Sequence, residues 1–344
     1  MKKMNDKKIW AGLLLLSALL LSLSGCGVSG HGTSGGEDRL ADTETDSRLR
    51  VVTTLFPYYD FARQIGGEEI RLSMVIPAGM DSHSFEPTPA DIKTIEEADV
   101  LICNGGEMEQ WLNQVLDALD TKELTVITMM DYVEDVLEET HGEEDHGEGT
   151  HGEEDHEEAG EDHGDHDHEY DEHIWTSPIH AQRFAQVIGE TLEAEDPDNG
   201  ALYRERSQAY QEELLQIRQG FEQIVKEKQR NTIVVGDKFP FRYLAEDYGF
   251  DYLAAFSGCS SDTEPSARTI ATMIEEVKHQ EIPVVYYLEL SSHRVAELIG
   301  EETGAVPMLL HSCHNVTRKE FDAGVTYVEL MRTNIENLRK GLVE

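Results

Sequence analysis

From Leu49 onward, short apolar runs rich in Val and Ile alternate with helical segments, and the scheme occurs twice. In the first block the runs fall at Val51–Phe56, Ile70–Pro77, Asp99–Asn104 and Thr125–Met130, with helices predicted over Tyr58–Ile65, Pro89–Ala98 and Glu107–Leu119. In the second they fall at Thr232–Gly236, Phe250–Phe256, Pro283–Leu290 and Ala305–Leu310, with helices over Phe241–Tyr248, Ala267–Gln280, His293–Glu302 and Val325–Leu342. Strand–helix alternation predicts parallel sheets built from βαβ units. Runs that are apolar throughout, instead of at every second residue, suit strands covered on both faces. The expected fold is therefore α/β, with two lobes that each hold a mostly parallel four-stranded sheet flanked by helices.

The segment between the blocks, residues 197–230, has no strong breaker except Gly200 and Gly220. Tyr203, Tyr210, Leu214, Ile217, Phe221 and Ile224 recur at steps of seven, four, three, four and three, which is one helical face. Such a helix would run on the order of 50 Å at about 1.5 Å per residue. It is expected to join an N-terminal lobe (residues 49–196) to a C-terminal lobe (residues 231–344) as a stiff spine. A long surface helix inside one domain would carry the same pattern.

Between Glu138 and Glu172 the chain carries seven histidines and eighteen Asp or Glu, with no Lys or Arg. His141, His146, His151, His156, His163, His166 and His168 sit among carboxylates and glycines. Acidity alone would make a solvated linker; it does not call for a histidine every five residues. Imidazole and carboxylate are ligands for borderline cations such as zinc, and the surrounding negative charge attracts divalent ions. Five helical steps turn the chain by about 140°, so a helix would not align the first four imidazoles. The expectation is a disordered tract that binds metal weakly at each site but in quantity.

Four lysines precede an apolar run from Trp10 to Leu23, followed by Leu-Ser-Gly-Cys ending at Cys26. A basic start, a short apolar stretch and small residues describe a signal peptide over residues 1–25. The Cys after small residues resembles the bacterial lipoprotein signal, with Cys26 the lipidated first residue of the mature chain. Residues 26–48, rich in Gly, Ser, Thr and Asp, then read as a flexible tether. Loss of residues 1–25 removes four Lys and one Asp, taking the formal charge from −41 to −44. That charge excludes nucleic acid as a partner. Of the other cysteines, Cys103 lies in an apolar run and is expected in the core, while Cys259 and Cys313 each follow a strand and make a candidate disulfide.

Two further histidines stand in loops that follow strands and precede helices, where α/β sheets bind ligands. His83 lies ahead of a helix start with Thr88 as N-cap and Pro89 at N1; His173 lies ahead of one with Ser177 and Pro178 in those positions. The segments TTLFPYYDFARQIGG, PAGMDSHSFEPTPADI, ADVLICNGGEMEQWL, DEHIWTSPIHA, TEPSARTI and GVTYVELMRTNIENL resemble the zinc- and manganese-type substrate-binding proteins of bacterial ABC transporters. The resemblance spans nearly all of the mature chain. It implies a rigid interdomain helix, a metal site in the cleft between the lobes, and His83 and His173 as ligands. Many zinc-selective members of that family also carry a His- and acid-rich loop just before the second of these, where this chain has its own.

The C-terminal lobe departs from the family's pattern. Where the family supplies His or Glu, the segment VVGDKFPFRYL places Lys238, which cannot bind metal while protonated; a shift by one residue would offer Asp237 instead. The family's last ligand falls in LLLHSCHNV, where His311 and His314 offer imidazoles and Cys313 a sulfur. His311 and His314 rank above Asp237, and Asp237 above Cys313. Glu264 and Glu289 are expected to accept hydrogen bonds from loop N–H groups.

The resemblance implies an extracytoplasmic protein, held to the membrane by N-terminal lipid, that captures Zn2+ and delivers it to an ABC transporter permease as a monomer, without chemistry. Nothing resembles the HExxH of zinc hydrolases. Manganese as cargo, and a surface metal buffer or adhesin with no transport role, are the alternatives.

Overall fold

The computed structural model describes residues 47–138, 170–256 and 265–344. Cys26, the seven histidines of the acidic tract, Cys259 and Glu264 lie outside the described residues, as do the expected signal peptide and all but the end of the tether.

The first block opens with β1 (Leu49–Thr53) and α1 (Phe56–Gly66), followed by β2 (Ile70–Met74) and α2 (Pro89–Glu96). It continues with β3 (Val100–Cys103), α3 (Gln110–Ala118) and β4 (Thr125–Thr128). The four strands form one parallel sheet in the order β2-β1-β3-β4, with Val51 opposite both Leu72 and Val100. Val100–Cys103 are buried at every position, as expected of a central strand covered on both faces.

Two long helices follow, α4 (Pro178–Glu195) and α5 (Gly200–Glu227). The second block comprises β5 (Thr232–Val235), α6 (Arg242–Tyr248), β6 (Asp251–Ala254), α7 (Ala267–His279), β7 (Val284–Tyr287), α8 (Arg294–Thr303) and β8 (Val306–Leu309). Its sheet is again parallel, in the order β6-β5-β7-β8, so the first sheet's topology is repeated. The chain ends with α9 (Arg318–Asp322), which the sequence pattern did not suggest, and α10 (Tyr327–Leu342).

The predicted face of α5 is the buried one: Tyr203, Tyr210, Leu214, Ile217, Phe221 and Ile224 all point inward, joined by Ser207. The helix has 28 residues, about 42 Å, and is shorter than expected at both ends. Pro197–Asn199 form a turn, with Gly200 N donating to Pro197 O. At the other end Lys228 turns extended, and Gln229 N and Arg230 N both donate to Leu342 O at the end of α10.

The last helix also reaches back to the first block. Tyr327 N donates to the buried Asp60 carboxylate of α1 at 2.7 Å, and the Tyr327 ring packs edge-on against Phe61. One hydrophobic core therefore runs from Val51 and Phe61 through Phe184, Tyr210 and Phe221 to Tyr286 and Leu338. A smaller core under α7 and α8 holds Val234, Met273, Val285 and Ile299. Among the described residues no helix is long and apolar enough to cross a membrane.

Candidate metal centre

The C-terminal ends of both sheets face one cavity of about 240 Å³, lined by His83, His173 and His314 together with Asp81, Asp237, Lys238 and Glu289. Each histidine arrives from a different loop, and each loop is fixed by its own local chemistry.

The loop after β2 continues the sheet briefly, with Val75 N and Ile76 N donating to Thr53 O and Thr54 O. Asp81 then caps a single helical turn, Ser82–Ser84, by accepting from His83 N at 3.1 Å. Beyond it Phe85 packs edge-on against Trp111, and the reciprocal Thr88–Asp91 capping box starts α2. His83 is thus held out into the cavity between two anchored points.

His173 closes the segment Asp171-Glu172-His173. Glu172 accepts from Met108 N at 2.8 Å and from Glu107 N, an approach that depends on Gly106: at its φ of +81°, a Cβ would stand 2.3 Å from the Glu172 carboxylate. Asp171 accepts from His173 N at 2.9 Å and lies 3.0 Å from its Nδ1. Burial works against the charged form of Asp171, but the charge and hydrogen bonds of His173 outweigh it and hold the carboxyl below its ordinary range. With Nδ1 engaged by a carboxylate, Nε2 becomes the ligating nitrogen, the arrangement usual for metal-bound histidine. Ser177 then caps α4, accepting from Ile179 N and His180 N.

His314 comes from the turn after β8, where Cys313 takes a left-handed conformation with φ +59°, a costly one for a residue with a side chain. That twist separates the two histidines of His-Ser-Cys-His. His314 turns into the cavity, stacks on Trp175 with ring centroids 5.2 Å apart, and meets the Ser82 hydroxyl through Nε2. Burial first, then the neighbouring His173 and His83, push its pKa well below the ordinary imidazole range, so the ring is neutral and can donate a lone pair. The turn is locked to both loops of the first block. Trp175 Nε1 donates to Ser312 O at 2.9 Å, and Asn315 Nδ2 donates to Pro77 O and Met80 O at 2.9 and 2.7 Å.

His311 goes the other way. It is buried outside the cavity, where its Nδ1 accepts from Cys313 N at 2.9 Å and its Nε2 makes no hydrogen bond. The sequence ranking of His311 beside His314 is corrected accordingly: this imidazole braces the turn from behind. Cys313 is likewise removed as a candidate sulfur ligand. It is a free, buried thiol, pushed far above its ordinary pKa by burial and by the charges of Glu289 and Asp60; its expected partner Cys259 lies outside the described residues. Cys103 is buried in β3. Glu289 does accept loop hydrogen bonds, from Ser312 N and Oγ at 2.9 and 2.5 Å.

The three cavity imidazoles form a triangle with ring centroids 5.9 Å (His83–His173), 5.7 Å (His83–His314) and 6.1 Å (His173–His314) apart. Ligand atoms of Asp81, His83 and His314 all lie within 4.8 Å of one another. Asp81 was not singled out from the sequence; its signal is the Asp-x-His spacing, which reads equally as a helix cap. Asp237 lines the cavity but is not in that group, and its Oδ1 accepts from Lys238 N at 2.9 Å. Neutral imidazoles with a carboxylate make a donor set suited to zinc.

The family model described as "Zinc-uptake complex component A periplasmic" matches residues 51–341. The high-affinity zinc uptake system protein ZnuA of Bacillus subtilis is 30% identical over 336 residues, 98% of each chain. The zinc-binding lipoprotein AdcA of Streptococcus pneumoniae is 31% identical over 297 residues, 86% of this chain and 56% of AdcA, so the chain spans about half of that relative's length. The Zn(II)-bound ZnuA-like domain of S. pneumoniae AdcA superposes with a TM-score of 0.68 at 28% identity, over 86% of this chain and all of the domain. The metal-dependent lipoprotein YcdH of B. subtilis gives 0.70 at 26% identity, with the same coverage. Two repeated parallel sheets, a buried joining helix and a histidine-lined cavity at the sheet ends thus accompany a sequence match over most of the chain: this protein belongs to the ZnuA family.

Proposed function

We propose that the protein captures a zinc ion outside the cytoplasm and passes it to an ABC transporter permease. The observation that carries this reading is the meeting of three imidazoles from both halves of the molecule, His83 and His173 from the first and His314 from the second, at one cavity. Neutral nitrogen donors favour zinc over manganese, although the affinity order for such sites runs the same way whichever ion is the cargo. The protein binds and releases; it performs no chemistry on its cargo. Residues 1–25 serve as the export signal, Cys26 carries the lipid, and residues 26–48 tether the body to the membrane. The His- and acid-rich tract raises the supply of zinc near the cavity.

The test has two parts. Titration of the purified protein against chelators of graded affinity should give one tight zinc ion and much weaker manganese binding. Deletion of the gene should lower zinc uptake by cells in zinc-poor medium. Tight manganese binding with no zinc-uptake phenotype would replace zinc with manganese as cargo. Tight zinc binding without any uptake phenotype would favour a surface buffer.

A further inference from the structure

We infer that Asp81 supplies the fourth ligand of the cavity, completing a three-imidazole, one-carboxylate shell. This rests on the reading of the cavity as a zinc site. Three carboxylates line the cavity, Asp81, Asp237 and Glu289, and they differ in what they already hold. Glu289 spends one oxygen on Ser312 N and the other on Ser312 Oγ, so it is committed to the turn that carries His314. Asp237 braces the neighbouring N–H of Lys238 as Asp81 braces that of His83, but it stands outside the cluster of close ligand atoms. Asp81 offers an oxygen within 4.8 Å of ligand nitrogens of both His83 and His314.

The distances suit closure onto one ion. Donors at about 2.0–2.1 Å around a tetrahedral zinc lie about 3.4 Å from each other, so each pair in this group has at most about 1.4 Å to close. His173 stands outside that close group, its ring centroid about 6 Å from the other two, so it has further to move than Asp81 to take the remaining corner of the shell.

Charge points the same way. Three neutral imidazoles bring no charge against the ion's two at contact distance, and Lys238 lines the cavity together with Asp237 and Glu289. A carboxylate in the shell halves that charge, and opposite charges a few ångströms apart attract strongly wherever water is partly excluded. The placement is economical as well. Asp81 Oδ1 already braces the backbone of His83, so the group that fixes one ligand is itself poised as another.

The test uses the full mature chain, with zinc chloride in competition against a high-affinity chelator and one equivalent of Co(II) as a spectroscopic probe. Asp81→Asn keeps an oxygen to accept from His83 N but loses the negative charge, so it separates ligand from cap. Tight zinc binding should weaken by more than about 100-fold, beyond what loss of a group one step behind a ligand usually costs. The visible bands of four-coordinate Co(II) should weaken as water replaces the carboxylate, and Asp81→Glu should recover part of both signals. If Asp81→Asn binds zinc within about threefold of the parent with an unchanged Co(II) spectrum, Asp81 only caps its turn and the inference fails. His314→Ala and His173→Ala separate the two layers: if they abolish tight binding while Asp81→Asn does not, only the fourth ligand is wrong. If neither histidine variant loses tight binding, the cavity itself is not the site.

Discussion

His173 holds its Nδ1 3.0 Å from Asp171 Oδ1, with both side chains buried. The carboxylate fixes the ring's tautomer and orientation and makes the opposite nitrogen a better donor, which is how such partners support a metal ligand. Asp171→Asn keeps the shape and removes the charge. Zinc affinity should fall by about 10–100-fold with the stoichiometry of the tight site unchanged, as read by chelator competition. Unchanged affinity would mean that the pair only orders the loop.

The two histidines of the His-Ser-Cys-His turn should separate cleanly. His314→Ala should abolish tight zinc binding, because it removes an imidazole from the cavity. His311→Ala leaves the cavity intact but strips Cys313 N of its acceptor and opens a void behind the turn. It should lower stability by about 1–3 kcal/mol, seen in denaturant unfolding of the metal-free protein, with zinc affinity reduced far less. Equal losses of affinity in both variants would show that the turn cannot hold His314 without His311 behind it.

These assignments mark where the sequence stops being legible. The strands, the buried face of α5 and the loops of His83 and His173 follow from local signals: apolar runs, helical spacing, and Thr88-Pro89 and Ser177-Pro178 at helix starts. The choice between His311 and His314 does not, because it depends on the left-handed twist at Cys313 and on Trp175, a residue 137 positions away that bonds Ser312 O. The burial of Cys313 beneath the turn was illegible for the same kind of reason, since position after a strand says nothing of it. Asp81 looked like a cap and is one; its nearness to His314 is a long-range fact.

The ends of the acidic tract set a sharp boundary for removing it. Glu138 and Tyr170 pair as an antiparallel bridge, and Tyr243 OH ties the base of the loop by accepting from Leu137 N and donating to Asp171 O. Paired residues of this kind lie about 5 Å apart, so a short linker can join them. Deleting residues 139–169 should leave the tight zinc ion bound with near-parental affinity while lowering the total zinc taken up. Extending the deletion through Asp171 should also weaken the tight site, because it removes the partner of His173. Equilibrium dialysis and chelator competition on both variants check this. If the shorter deletion lost the tight ion, the cavity would not be sufficient for capture.

Glu109 gives the fold a pH dependence that can be read apart from metal. Burial pushes its carboxyl up to about 7, against the pull of the N–H groups of Gly105 and Asn104, with Glu172 nearby adding to the rise. A carboxyl whose folded-state pKa is raised keeps a proton that the unfolded chain has released. Below about 4.5, where both states are protonated, Glu109 adds no pH dependence. As pH rises from there through about 7, stability falls, and above that the full cost is present, up to about 3 kcal/mol. Glu109→Gln cannot titrate, and its carbonyl oxygen can still accept from Asn104 N and Gly105 N, which Glu109 holds at 2.8 and 2.9 Å. The variant's stability relative to the parent should therefore improve steadily between pH 5 and about 7 and level off above it, as measured by urea unfolding of the metal-free protein. A difference that stays constant across that range would mean Glu109 is ionised throughout, and its acceptor role alone would account for its burial.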